Sequence, residues 1–160
     1  MAVREVLRMP HPVLKQVCAE IADPAEIERI GRDLIDTMEA SPRCVGIAAP
    51  QIGEAVRMAI VDVTGHKRAV SCAGRLILVN PVVVASAGSI VVREGCLSIP
   101  DFTGDVRRAE TVVVESQGVR IEADAFEARC ILHELDHLDG VLFLDRVESA
   151  SAVFRRKSYG

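Results

Sequence analysis

The chain has no tryptophan, and aromatic residues make up only 3% of it. Its core must therefore be aliphatic, built from Val, Ile, Leu and Ala. With 49% apolar residues and a positive mean hydropathy there is ample material for one. A basic excess is also lacking. Net charge is −4 and the pI is near 5.6, with Arg scattered except at Arg107-Arg108 and Arg155-Arg156-Lys157. That argues against direct binding of duplex nucleic acid, which usually needs a basic patch. No apolar run is long enough for a bilayer. The longest region, Leu76 to Val92, is broken by Asn80, Pro81, Ser86, Gly88 and Ser89, so no membrane association is expected. Met1 to Met9 carries Arg4, Glu5 and Arg8 and leads into no signal-like apolar run. A reducing, cytoplasmic setting is the expectation. The five cysteines, an odd number, then read as thiols and not as a disulfide framework.

At 160 residues the chain is expected to be one domain, 1–160. Asp23-Pro24-Ala25-Glu26 opens a helix, with Asp23 as cap, Pro24 in the first turn and Glu26 at the capping-box position. Ile27, Ile30, Leu34 and Met38 follow at helical spacing, and Ser41-Pro42-Arg43 ends the run near Ala40. Strands are expected at 58–63, 76–79, 82–85, 90–92, 111–115 and 119–122, with turns at 64–67 and Gln117-Gly118. A second helix is expected over 123–139, with Asp124 as cap and Gly140 as a left-handed stop. A short strand should follow at 141–144, and then a polar, basic tail. The predicted fold is α+β: an N-terminal helix, and mostly antiparallel strands around a central helix.

On that central helix stands His133-Glu134-Leu135-Asp136-His137. Residues four apart share a helix face, so both imidazoles can reach one metal ion. Glu134 lies about 100° round the helix, near the ion yet free to handle a proton. Two His ligands with a Glu as general base are the means of metal-assisted hydrolysis. Only four His occur in the chain, and the flanks Ile131, Leu132, Leu135 and Leu138 are apolar, which weighs against a chance solvated helix.

A hydrolytic metal takes about three protein ligands and keeps one position open. Cys96, in Glu94-Gly95-Cys96-Leu97-Ser98, is the best third candidate, since a thiolate suits zinc or ferrous iron and Gly95 frees the backbone beside it. Cys130, three residues before His133, is the rival, although a small core thiol is its more ordinary role. Cys44 to Gly53 is small, apolar and glycine-bounded, which lets backbone approach a ligand closely. Glu94 and Asp136 are candidates to accept the second N–H of a ligating His.

Three segments together resemble the peptide deformylase family: Gly46-Ile47-Ala48-Ala49-Pro50-Gln51, Glu94-Gly95-Cys96-Leu97-Ser98 and His133-Glu134-Leu135-Asp136-His137. They occur in the family's order, and the likeness runs from about Val6 to Asp145. The resemblance implies a hydrolase that removes the formyl group from the N-terminal formyl-methionine of nascent peptides. It implies Cys96, His133 and His137 as ligands of ferrous iron, with zinc, nickel or cobalt as substitutes. Glu134 would be the acid/base, and Gln51 and the backbone N–H of Leu97 would steady the oxyanion. Gly46, Cys44, Ile47 and Glu94 would line or contact the substrate.

Some positions depart from the family. Cys44 stands where glycine is common, putting a side chain in the cleft and an oxidisable thiol near the metal. Leu132 replaces a common Gln. The Arg that many members carry soon after the Cys motif is missing from Asp101-Phe102-Thr103-Gly104-Asp105. The ribosome is a candidate partner, but the tail, with Phe154-Arg155-Arg156-Lys157, is short for the basic docking helix of some members, which argues against docking. The alternatives are a relative acting on another N-acyl group or a peptide bond, and one that binds peptide ends without turnover. An intact Glu134 weighs against the last.

Overall fold

Asp23 starts the first helix as its sequence predicts. In a computed structural model of the chain, which describes residues 2–156, α1 spans Pro24–Glu39 and Asp23 accepts a 3.0 Å hydrogen bond from the Ala25 N–H. Glu26 is drawn instead to Arg29, one turn on. Ile30, Leu34 and Met38, four apart, form the buried stripe of α1. They pack on Ile47, Met58 and Ile60 from β1 (Gly46–Ala48) and β2 (Met58–Val61).

The remaining strands are β3 (Leu76–Val79), β4 (Val82–Ala87), β5 (Ile90–Cys96), β6 (Ile99–Arg108), β7 (Thr111–Ser116), β8 (Val119–Asp124) and β9 (Val153–Arg155). They form three antiparallel sheets in the orders β1-β2-β3, β4-β7-β8 and β5-β6-β9. The second helix, α2 (Ala125–Leu138), runs between them. Its Ala128, Ile131 and Leu135 join Val61, Leu78, Val112 and Val114 in one core, and Leu138 meets Ala48 and Ala59. A second stripe of α2, carrying Phe126, Arg129, Cys130, His133 and Glu134, borders an open cleft. Among the described residues no helix is long and apolar enough to cross a membrane. The architecture is α+β, with antiparallel strands around a central helix.

Several elements differ from their sequence expectation. The apolar run at 141–144 is no strand: Phe143–Arg146 forms a 3₁₀ turn, and Phe143 is buried side-on against Gly104. A Cβ at Gly104 would lie 2.7 Å from a Val147 methyl and 3.2 Å from the Phe143 ring, so only glycine lets these side chains down onto the sheet. β6 escaped the periodicity because its buried positions include Gly104, Val106 and Arg108, which do not read as an apolar alternation. The expected basic tail also contributes structure. β9 pairs with β6 at Phe102 to Gly104, where β6 bows away from β5 between the pairs Glu94–Gly104 and Cys96–Ile99. Asp124 holds the cap position of α2 without a side-chain cap bond; its N–H donates to Ser71 Oγ, which in turn bonds the buried Glu127. Lys157 lies outside the described residues.

Candidate metal centre

His133 and His137 stand one turn apart on α2, their ring centroids 5.1 Å apart. Cys96 comes from the end of β5, next to the Leu97-Ser98 turn that leads into β6. One ligand atom from each of the three lies within 4.8 Å of the others, and the Cys96 sulfur is 3.3 Å from His137 Nε2. Burial alone would raise the Cys96 thiol. The charge of His137 and hydrogen bonds with both rings outweigh it and hold the thiol well below its usual range. Cys130 is not brought into this group, although it lines the same cleft. A thiolate with two imidazoles, almost closed to solvent, is a donor set that suits zinc or ferrous iron.

The second ring nitrogen of His133 is fixed. His133 Nδ1 lies 2.8 Å from Glu94 Oε1, which leaves Nε2 for a ligand. Glu94 is not open to a substrate. Arg108 donates to both of its oxygens at 2.6 and 2.9 Å. Burial pushes the Glu94 carboxyl up, but its bonds to Arg108 and His133 win and set it at about 2. Arg108 also donates to Asp136 at 2.6 Å, and Arg146 donates to both Asp136 oxygens. Asp136 thus serves Arg108 and Arg146 and accepts from no imidazole. His137 Nδ1 is buried and has no hydrogen-bond partner among the described residues.

Glu134 faces the cleft with its Oε1 buried and unpartnered among the described residues. Burial is the main cause that lifts its carboxyl to about 7, against the pull of the two imidazoles. Gly46 is what admits it. A Cβ there would sit 2.6 Å from Glu134 Oε2. Gln51, only 1% exposed, accepts from the Ala48 N–H at 2.9 Å through Oε1. Its Nε2 must then point the other way, donating to Ser98 Oγ at 3.1 Å and lying 3.6 Å from the Cys96 sulfur.

Of these residues, Gln51, Glu94, Cys96, His133 and Glu134 line the floor of a cleft of about 870 Å³. Gly46, Cys44 and Leu97 border it. The Cys44 thiol donates to the Gly46 carbonyl at 3.1 Å, and burial, then Glu134, pushes it up to about 12, so it stays neutral. Ile47 is not brought to the cleft: it is fully buried among α1 and β2 residues. Sequence reasoning passed over Arg108 and Arg156. Arg108 showed only as part of an Arg-Arg pair, and no local pattern marks it as buried. Arg156 reaches Gly95 through the β6–β9 pairing, which the sequence does not announce.

The model of the polypeptide deformylase family matches residues 3–153. The chain belongs to the polypeptide deformylase family. It is 43% identical over 155 residues to a peptide deformylase of Heliobacterium modesticaldum, covering 93% of this chain and 97% of the relative. The crystal structure of a Legionella pneumophila peptide deformylase superposes with a TM-score of 0.84 at 33% identity, covering 94% of this chain and 89% of that one. A Met-Ala-Ser-bound class I type b peptide deformylase from Acinetobacter baumannii superposes with a TM-score of 0.80 at 31% identity, covering 91% and 100%. The family's members are metal-dependent enzymes that remove the formyl group from N-terminal formyl-methionine, and this chain is such a hydrolase, with a Cys-His-His group for the metal.

Proposed function

We propose that Cys96, His133 and His137 hold ferrous iron, and that Glu134, Gln51 and the Leu97 N–H perform deformylation of nascent peptides. Zinc, nickel or cobalt would fit the same donor set. When bound, such a cation brings the pKa of water from ~16 to ~7 and so supplies a nucleophile at neutral pH. Glu134 takes the proton of the attacking water and later passes it to the departing amine. The formyl carbon gains one C–O bond, its C–N bond breaks, and formate and a free methionyl amine leave. Gln51 holds the oxyanion: with Oε1 tied to Ala48, its amide N–H is presented without a search over rotamers. The Leu97 N–H, in the turn beside Cys96, is the second donor.

Gly46 and Cys44 bind along one wall, Gly46 through its backbone. Ile47 contributes only as a strand neighbour of Gly46, and Glu94 acts by orienting His133. We read 1–160 as one catalytic domain working in the cytoplasm on emerging chains. The ribosome supplies the substrate, and the commitment of Phe154 and Arg155 to β9 and of Arg156 to the cleft argues against the basic tail as a docking element. The Met-Ala-Ser peptide in the A. baumannii relative supports a peptide ligand of this kind.

The convergence of three donors within 4.8 Å beside an unclaimed carboxylate oxygen carries this reading. Anaerobic purification with metal analysis, followed by a formate-release assay on a formyl-methionyl peptide, tests it. One ferrous ion per chain and prompt formate are expected, with acetyl-methionyl peptide untouched. Glu134→Gln should keep the metal and lose ~10²–10⁴ in kcat. Unchanged hydrolysis by that variant would remove Glu134 from the mechanism.

A further inference from the structure

The chain carries a net charge of −4, yet the cleft is lined by five arginines against two acids, Glu94 and Glu134. Both acids lie at the floor, Glu94 tied to Arg108 and His133 and Glu134 assigned to the reaction. Among the described residues that line the cleft, no further acid stands at the mouth. Of the five arginines, Arg93 is paired with Asp105. Arg68, Arg129 and Arg156 form no ion pair among the described residues and border the opening.

Their placement is specific. Arg129 stands four residues before His133 on the same stripe of α2, about 6 Å along the axis. Its guanidinium lies over the Phe126 ring, 5.5 Å from the centroid. Phe126 also stacks on His66 at 4.1 Å, which ties in the loop that carries Arg68. Arg156 approaches from the other wall. Its backbone N–H bonds the Asp101 carbonyl at 2.8 Å, extending the β6–β9 pairing. Its Nη2 lies so close above Gly95, the residue before Cys96, that a Cβ there would collide with it.

We infer that Arg156 and Arg129, helped by Arg68, form a cationic clamp that selects substrates with an acidic side chain downstream of the methionine. An extended peptide advances about 3.3 Å per residue, so a chain running from the metal group along α2 would bring its third residue about 6 Å on, level with the turn that carries Arg129. Guanidinium groups left unpaired in a concave site raise the local concentration of anionic ligands and the rate of productive encounter, and salt weakens both effects. The clamp takes its substrate from the reaction proposed above, so it is tested by a ratio and by a binding measurement that needs no turnover.

The probes are formyl-Met-Ala-Xaa-Ser amides with Asp, Asn or Lys at Xaa, assayed on the metal-loaded enzyme. At low salt kcat/KM should be about fivefold higher for Asp than for Lys, and the ratio should approach one near ~1 M salt, where screening acts within ~3 Å. Arg156→Glu should invert the preference. Arg155→Glu, the same charge change next door and outside the cleft, should leave it in place. Calorimetry with the product peptides Met-Ala-Asp-Ser and Met-Ala-Lys-Ser amides should give the same order of affinities. A wild-type ratio at or below one, or an equal shift from Arg155→Glu and Arg156→Glu, overturns the clamp. Absence of formate from the Asn peptide would instead overturn the deformylase reading, while the calorimetric order still decides the clamp.

Discussion

Behind the floor of the cleft, Glu94, Arg108, Asp136 and Arg146 form a chain of ion pairs that ends on His133. At its mouth, Arg68, Arg129 and Arg156 form none among the described residues. The two regions flank one cleft, the first from behind its floor, and use the same residue type oppositely. Buried Arg108 needs carboxylate partners, because an unpaired charge out of water is expensive. In return it pins the imidazole that must present a lone pair in one direction. The arginines at the mouth remain hydrated, so leaving them unpaired costs little and keeps them available for a substrate. The floor is built for fixed geometry, and the mouth for attraction that can be released.

Breaking the floor should therefore cost far more than altering the mouth. Gln51→Ala removes a preset oxyanion donor, and kcat in the formate assay should fall ~10²–10³-fold with KM changed little. A fall confined to KM would show that Gln51 only binds substrate. Glu94→Gln should come next. It leaves Arg108 short of a buried partner and His133 without its carboxylate, and metal affinity by competitive chelation should weaken ~10–100-fold. The same variant should lose about 3–5 kcal/mol of stability in urea unfolding, because one half of a buried ion pair is removed. Unaltered metal affinity would mean that the imidazole is held by its helix alone. Arg156→Glu should have the smallest effect, a several-fold shift in substrate preference without loss of metal. Were its effect as large as that of Gln51→Ala, the contrast between floor and mouth would collapse.

The same contrast marks what the sequence could say. The floor was legible where it is local. His133, Glu134 and His137 are set by helical pitch alone, and α1 by Asp23 and its stripe of Ile30, Leu34 and Met38. Cys96, distant in sequence, was legible as a third donor from its thiol chemistry and the adjacent Gly95 once the His pair was read, whereas Gln51 became legible only through the three-segment resemblance. Arg108 was not, since its burial depends on the register of β6, whose inward face includes Gly104 and Arg108. Ile47 was misplaced for a related reason: in β1 successive side chains alternate, so the residue after Gly46 faces the core. The mouth was illegible because it gathers residues 68, 129 and 156 from a loop, a helix and the end of the chain just past β9, and β9 exists only by pairing with β6. The strand expected at 141–144 failed because an apolar run can bury itself side-on without any partner strand.

The central claim is that one cation is shared by a sulfur and two imidazoles. Cobalt substitution tests it most directly, because a thiolate bound to cobalt gives a charge-transfer absorption in the near ultraviolet. The account predicts one cobalt per chain with that band, and loss of the band in Cys96→Ser but not in Cys130→Ser. Stoichiometric cobalt without the band, or a band that survives Cys96→Ser, would contradict it.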